Sequence, residues 1–249
     1  MEFSILDSKL FTSVFENMKQ FSEQTKMKIN SNGIRLQSLD DANVSIIDIQ
    51  FNKNYFTDYH IEDERIYDFS LTEICKILKI CSKSRLIHFI FNNNILKIST
   101  TTNEHEVKKT FEINSIITKD TFLNLENLRS TNLYNINLDS KNLQNIFNEL
   151  CIFSDDVCIE LQQNKWEFYT INDTINTNYN IDIKNNIIQT DNSTFLSKYS
   201  LNYLSKYKLV SSFENTLLKF NSNSPLILVN KNEHIESHFI LSPKIMDIE

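Results

Sequence analysis

Few residues in this chain have both the type and the spacing that bond-making chemistry needs. His234 and His238 stand four apart, the interval at which two imidazoles on one helical face hold zinc. Their surroundings read as strand or turn, however, and no H-E-x-x-H context is present, so no metal site is expected. His60, His88 and His105 are isolated, and no Ser/His/Asp arrangement can be read from spacing. Asp40-Asp41 and Asp155-Asp156 are paired carboxylates. Acid/base work needs a cleft that separates their pKa values, and turn residues are the plainer reading. Cys75, Cys81, Cys151 and Cys158 have neither C-x-x-C spacing nor the density of a disulfide scaffold, which leaves them as reduced core residues. Gly33 is the only glycine, whereas phosphate-cradling loops and dinucleotide folds need several so that backbone can approach the anion. No cofactor and no enzymatic activity are expected.

The remaining candidates are lysines at helical spacing. Over 71–81, Ile74, Ile77, Leu78 and Cys81 form an apolar stripe at i, i+3, i+4 and i+7, with Thr72 as the expected cap. Lys76, Lys79 and the trailing Lys83 fall near the opposite pole. A helix over 140–151 turns Leu143, Ile146, Phe147 and Leu150 inward and leaves Lys141, Asn145 and Asn148 outward. A helix over 8–21 buries Leu10, Phe11, Val14, Phe15, Met18 and Phe21, with Lys9 on its polar face and Lys19 at the edge of that face. A last helix near 200–208 carries Lys206, with Lys208 close by. The formal net charge is −7, with 32 acidic residues, so lysines kept on particular helix faces mean that charge is segregated. Such segregation points to a localised polyanion site, where lysines and neutral Asn, Ser and Thr meet phosphates without reading sequence.

The elements that must position these lysines occur twice. Asp7-Ser8-Lys9-Leu10-Phe11 and Asp139-Ser140-Lys141-Asn142-Leu143 run in register at an offset of 139 minus 7, or 132 residues. Phe21-Ser22-Glu23 then falls on Phe153-Ser154-Asp155, Ile34 on Trp166 and Leu36 on Phe168. Ser70-Leu71 with Lys76 meets Ser200-Leu201 with Lys206, so Lys206 repeats Lys76 and Lys141 repeats Lys9. A period this long is the duplication of a whole domain rather than a solenoid repeat. From Lys26 to Phe51, alternating apolar residues read as successive strands, with Asn32-Gly33 as the hairpin turn. Hairpin strands at Ile87–Phe91 and Ile95–Ser99 and a strand at Val107–Ile113 follow. Residues 117–133 fit neither period, which divides the chain into domains 1–116 and 134–249 with a connecting loop between them. These elements read as α+β, two duplicated domains of helices and hairpin strands.

Composition narrows the class further. The chain is 41% hydrophobic and 23% charged, ordinary values for a globular protein. No apolar run approaches the ~18 residues of a membrane span, and no secretory leader is evident, so a soluble protein without membrane attachment is expected.

At Gly33-Ile34-Arg35-Leu36-Gln37-Ser38-Leu39-Asp40, followed by Asn43-Val44-Ser45-Ile46, the sequence resembles the DNA sliding clamps of eukaryotes and archaea, the proliferating cell nuclear antigen family. Leu71-Thr72 with Lys76-Ile77-Leu78-Lys79 resembles the family's second helix, and Leu241-Ser242-Pro243-Lys244-Ile245 resembles its C-terminal motif. The resemblance implies that antiparallel sheets back two helices in each domain and that the chain closes into a homotrimer of pseudo-sixfold symmetry, with double-stranded DNA passing through a hole lined by the helices. Lys9, Lys19, Lys76, Lys79, Lys141, Lys206 and Lys208 are then the DNA-facing residues. It also implies a pocket for short partner peptides at Leu39, Val44, Ile46, Leu125, Pro225, Ile240 and Pro243, with Ser242 and Lys244 at its rim. DNA polymerase, clamp loader, nuclease and ligase are the implied partners, and replication and repair the implied setting. The implied location is the nucleus of a eukaryote, the cytoplasm of an archaeon or the replication site of a virus. Thr12, Ser13, Asn145 and Asn148 stand where the family is usually basic, the Asn185–Phe195 stretch is shortened, and Asp182 replaces an often-modified lysine. The competing reading keeps the fold and changes the role, to a subunit of a heteromeric checkpoint clamp or a clamp-like viral transcription factor.

Overall fold

The computed structural model describes residues 1–6, 8–82, 84–101, 107–116, 122–126, 134–162, 165–172, 175–182, 195–221 and 224–245. Lys83, His105, Ile117, Leu128, Asn185–Thr194 and much of the expected connecting loop lie outside the described residues. The chain divides into two units, Met1–Phe122 with Asn232–Ser237 and Leu123–Lys231 with His238–Glu249.

In the first unit, apolar residues at alternate positions build the sheets. Strand β2 (Gln24–Asn30) turns Thr25, Met27 and Ile29 inward, β3 (Gly33–Leu39) buries Ile34 and Leu36, and β4 (Ser45–Asn52) buries Ile47, Ile49 and Phe51. With β6 (Arg65–Ser70) they pair antiparallel in the order β6-β2-β3-β4. The other sheet runs β5 (Tyr59–His60), β1 (Glu2–Ile5), β7 (Ile87–Asn92), β8 (Ile95–Thr101), β9 (Lys108–Asn114). Helices α1 (Ser8–Met18) and α2 (Leu71–Cys81) pack on each other and bury Phe11, Phe15, Met18, Ile74 and Leu78. Aromatic rings fill the core, with Phe3 stacked on Phe89 at 4.6 Å and Phe11 tilted against Phe51 at 5.2 Å.

The second unit repeats this plan. Strands β10 (Tyr134–Asp139), β15 (Asn215–Phe220), β16 (Leu226–Lys231) and β17 (Ile235–Leu241) follow one another in one sheet. Strands β13 (Thr177–Asp182), β12 (Lys165–Thr170), β11 (Asp156–Gln162) and β14 (Phe195–Ser200) make the other. Helices α3 (Ser140–Phe153) and α4 (Leu201–Lys206) pack together, and Trp166, Phe195 and Phe220 form the aromatic core. The residue pairs read from the repeat occupy equivalent places: Ile34 and Leu36 are buried on β3, and Trp166 and Phe168 on β12. Two copies of one α+β domain are present, as the duplication in the sequence requires.

Four local expectations are corrected. α2 is capped by Ser70, not Thr72; Ser70 is extended (φ −65°, ψ 119°) and its hydroxyl accepts the Glu73 N–H, while Thr72 lies within the first turn. α1 ends at Met18 rather than at residue 21, because Gln20 and Phe21 bond back to Asn17 and Met18 in a tightened turn. The β2–β3 connection is Ser31-Asn32, and Gly33 already pairs with Asn30. Gly33 is required by its φ of +143° and by the Phe51 carbonyl oxygen, which stands 2.0 Å from where a Cβ would lie. Asp156 opens β11 instead of standing in a turn.

Candidate nucleic-acid interface

The core-facing stripes fix which helix side chains reach solvent. On α1, Lys9 and Glu16 are exposed, as is Lys19 just beyond its end, and on α2, Glu73, Lys76, Lys79 and Ile80. Lys19 and Glu16 lie close enough to α2 to act on the Cys75 thiol, whose pKa burial pushes up to about 11. The exposed faces of the two helices are therefore neighbours. Lys76 is drawn along its own helix by Glu73, at 2.9 Å, an i,i+3 pair. Thr12 is buried, and the Ser13 hydroxyl donates to the Leu10 carbonyl, so neither takes the place of a long basic side chain.

In the second unit Lys141, Asn142, Asn145, Asn148 and Glu149 are exposed on α3, which Asp139 caps by accepting the Asn142 N–H at 2.8 Å. Gln144 donates to Asn148 and to the Ser205 carbonyl, tying α3 to α4. Lys206 closes α4 and Lys208 opens the 3₁₀ turn Lys208–Ser212; both are exposed. A lysine in a helix's last turn complements the negative end of its dipole. Counting Lys19 just beyond α1 and Lys208 in the 3₁₀ turn, lysines outnumber the acids of these helices four to two in the first unit and three to one in the second. Each unit thus presents a helical surface that is net basic in a chain of charge −7.

The residues expected for peptide recognition fall in both units. In the first, Leu39 ends β3 at 37% exposure, and Val44 and Ile46 are half-buried. The loop between them is held by the buried Asp40 carboxylate, which accepts N–H bonds from Ala42, Val44 and Ser45 at 3.1, 2.9 and 2.5 Å. The pairing of Asp40 with Asp41 gave a turn residue; that this acid sets the conformation of the Val44 segment needed the fold. In the second unit Leu125 and Ile240 are each only 3% exposed, Pro225 and Pro243 are half-buried, and Ser242 and Lys244 are exposed. The Lys244 N–H donates to the Lys198 carbonyl at 2.8 Å, and the Lys244 ammonium meets Asp156. Neither Asp156 nor Lys198 carried a sequence signal for such a role.

Each unit also ends in a strand edge with exposed apolar residues. In the first, β9 ends its sheet, with Val107 (50% exposed) before it and Ile80 (49%) on α2. Lys109 acts on the Cys81 thiol and so places β9 beside the end of α2. In the second, β13 ends its sheet, and Asn172 donates to the Phe153 carbonyl at 2.7 Å, bringing the end of α3 to the β12–β13 connection. Ile152, Phe153, Ile171 and Ile175 are exposed there, and the Tyr179 hydroxyl donates to Glu149.

All four cysteines are free, and burial raises the thiol pKa of Cys75, Cys81 and Cys158. His88 Nδ1 lies 2.9 Å from the Ser4 hydroxyl. Among the described residues no group of three or more His, Cys, Asp or Glu side chains is placed to hold a metal, and no helix is long and apolar enough to cross a membrane.

Comparison with known proteins agrees with this geometry. The crystal structure of a PCNA2–PCNA3 complex from Sulfolobus tokodaii superposes with a TM-score of 0.83 over 98% of this chain and 99% of that one, at 18% identity. The proliferating cellular nuclear antigen of Entamoeba histolytica gives 0.84 over 98% of each chain at 19% identity. Proliferating cell nuclear antigen 1 of Plasmodium falciparum is 25% identical over 181 residues, a match spanning 68% of this chain and 63% of that protein. Proliferating cell nuclear antigen 2 of the same organism is 23% identical over 261 residues, covering 97% and 98%. The model of the proliferating cell nuclear antigen N-terminal domain matches residues 1–127. That match takes in more than half of the 249 residues, and the chain belongs to the proliferating cell nuclear antigen family of sliding clamps.

Proposed function

We propose that this chain is a processivity factor: three copies close into a ring around duplex DNA, and the ring recruits replication and repair enzymes through short peptides, without bond chemistry of its own. The observation that carries the reading is the recurrence, in both units, of a helix pair whose exposed face is net basic. A ring holds DNA topologically, so its lysines need only weak, sequence-independent phosphate contacts, and tight ones would impede sliding. Lys9, Lys19, Lys76, Lys79, Lys141, Lys206 and Lys208 supply those contacts. Partner peptides are taken by Leu39, Val44 and Ile46 from the first unit and by Leu125, Pro225, Ile240, Ser242, Pro243 and Lys244 from the second. Apolar anchors provide most of the affinity and pairing with the tail backbone adds to it. Polymerase, clamp loader, nuclease and ligase are the partner classes. On loading, the protein is expected to stay on nicked circular DNA and to leave once that circle is linearised; equal retention on both forms rejects encirclement.

A heteromeric ring is the second reading, favoured by one observation: the Sulfolobus tokodaii neighbour is a complex of two different chains. The two edges of this chain support self-assembly instead. The β9 edge carries Lys108 and Lys109, while its Glu112 is paired with Lys97 at 3.5 Å, and the β13 edge lies beside Glu149 and Glu167, so unlike edges of two copies are complementary in charge.

A further inference from the structure

We infer that Asp156 is a positioning residue for partner peptides: with Lys198 and Lys244 it clasps the segment Ser242–Lys244 onto β14, so that this segment stands ready as an edge strand for the incoming peptide. The inference rests on the peptide-recruitment reading above and adds to that site an acid, Asp156, that is neither a helix lysine nor a pocket residue. Strand β14 pairs along one side with β11, where Asp156 lies opposite Ser200 and Cys158 opposite Lys198. Its other side receives the tail through an isolated antiparallel bridge, Lys198 to Lys244, with the Lys244 N–H donating at 2.8 Å. One bridge holds a strand weakly, and the next residue, Ile245, is 92% exposed.

The side chains supply what the backbone lacks. One Asp156 oxygen lies 3.2 Å from the Lys198 ammonium and the other takes the ammonium of Lys244. Asp156 itself cannot move to follow the tail, because its backbone is held in the β11 ladder and its N–H donates to the Ser154 hydroxyl at 3.1 Å. Its side chain is 19% exposed, against 37% for Lys198 and 45% for Lys244, so the acid is largely withdrawn from water while the lysines stay open to salt. Removing the carboxylate does more than delete an attraction, since two ammonium groups that shared one acid then face each other across the bridge and push the tail off β14.

Holding the tail extended matters because a strand that is already ordered spares the peptide the cost of ordering it. The tail uses one edge on β14, which leaves its other edge for a partner backbone. The clasp thereby acts on affinity without touching the peptide's apolar anchors.

The test uses the full chain and a fluorescein-labelled synthetic peptide with three apolar anchors on one 3₁₀ turn, read by anisotropy. Asp156→Asn and Lys244→Gln are each expected to weaken binding by about 3–10-fold, with the double variant no weaker than the worse single one, because both remove the same contact. Asp156→Glu is expected to recover part of the loss. Exchange of the Lys244 amide should accelerate in Asp156→Asn, and raising salt should weaken the wild type more than that variant. Wild-type affinity in Asp156→Asn, or losses that simply add in the double variant, overturns the clasp. A wild-type chain that does not bind the peptide at all removes the recruitment reading itself, and is told apart from failure of the clasp by that fact.

Discussion

Two residues show how single positions set the candidate surfaces. Asp40 is buried, yet its charge is spent on three backbone N–H groups of the loop that carries Val44, so the loop has one conformation rather than many. Gly33 works through absence: β4 passes so near that any Cβ meets the Phe51 carbonyl oxygen at 2.0 Å, and the φ of +143° lies where L side chains are strained. Gly33→Ala must therefore move the start of β3 away from β4. The expected cost is about 1–3 kcal/mol for the backbone strain alone. In a chain of this size each kcal/mol lowers the melting temperature by about 2–4 °C. Calorimetry of the variant checks this; an unchanged melting temperature means that β3 and β4 separate without cost and that the glycine is incidental.

At the scale of elements, helix faces decide how DNA is met, and the lysines on them are not equivalent. Lys76 is already held by Glu73 at 2.9 Å and must leave that pair to reach a phosphate, whereas Lys79 stands exposed in the last turn of the same helix. On linear duplex at low salt, Lys79→Ala is expected to reduce the slope of log K against log salt by about 0.9, the value for one phosphate contact. Lys76→Ala should reduce it by less, because the wild-type lysine is partly neutralised. Slopes unchanged in both variants remove α2 from the interface. The helices were legible in the sequence because apolar residues at i, i+3 and i+4 commit a face to the core, and α2 spans the residues its stripe gave. Helix ends were less legible. Phe21 keeps the apolar period of α1 but belongs to the turn beyond it, and Ser70 rather than Thr72 caps α2 since the cap is set by backbone geometry, not by composition. The lysines could be placed on their faces by angle alone. The Asp156 contact to the tail could not, as it joins residues 88 apart, 244 minus 156, whose meeting only the register of β11 and β14 brings about.

At the scale of the molecule, each unit ends one of its sheets in a strand beside exposed apolar residues, β9 in the first unit and β13 in the second. Unlike edges cannot form a self-complementary dimer of the same patch, so assembly through them runs head to tail and ends in a closed ring or an open filament. The apolar residues beside those edges are what such a contact needs, since backbone pairing gives register and buried side chains give most of the affinity. Ile152, 77% exposed at the end of α3, is the largest apolar side chain offered there by exposure, above Ile171 at 68%. In native mass measurements over a range of concentrations, the wild type is expected to show three-chain particles that dissociate on dilution. Ile152→Asp is expected to dissociate at concentrations roughly tenfold higher or more, a charge in an apolar contact costing at least ~1.4 kcal/mol. Because Ile152 is exposed in the single chain, its replacement leaves the core intact, and the melting temperature of the isolated chain should stay unchanged. A wild type that remains a single chain at every concentration means that the β13 edge awaits a different protein, and the heteromeric ring then replaces the homotrimer. A trimer indifferent to Ile152→Asp means instead that the contact forms elsewhere, and the α3 end must be struck from it.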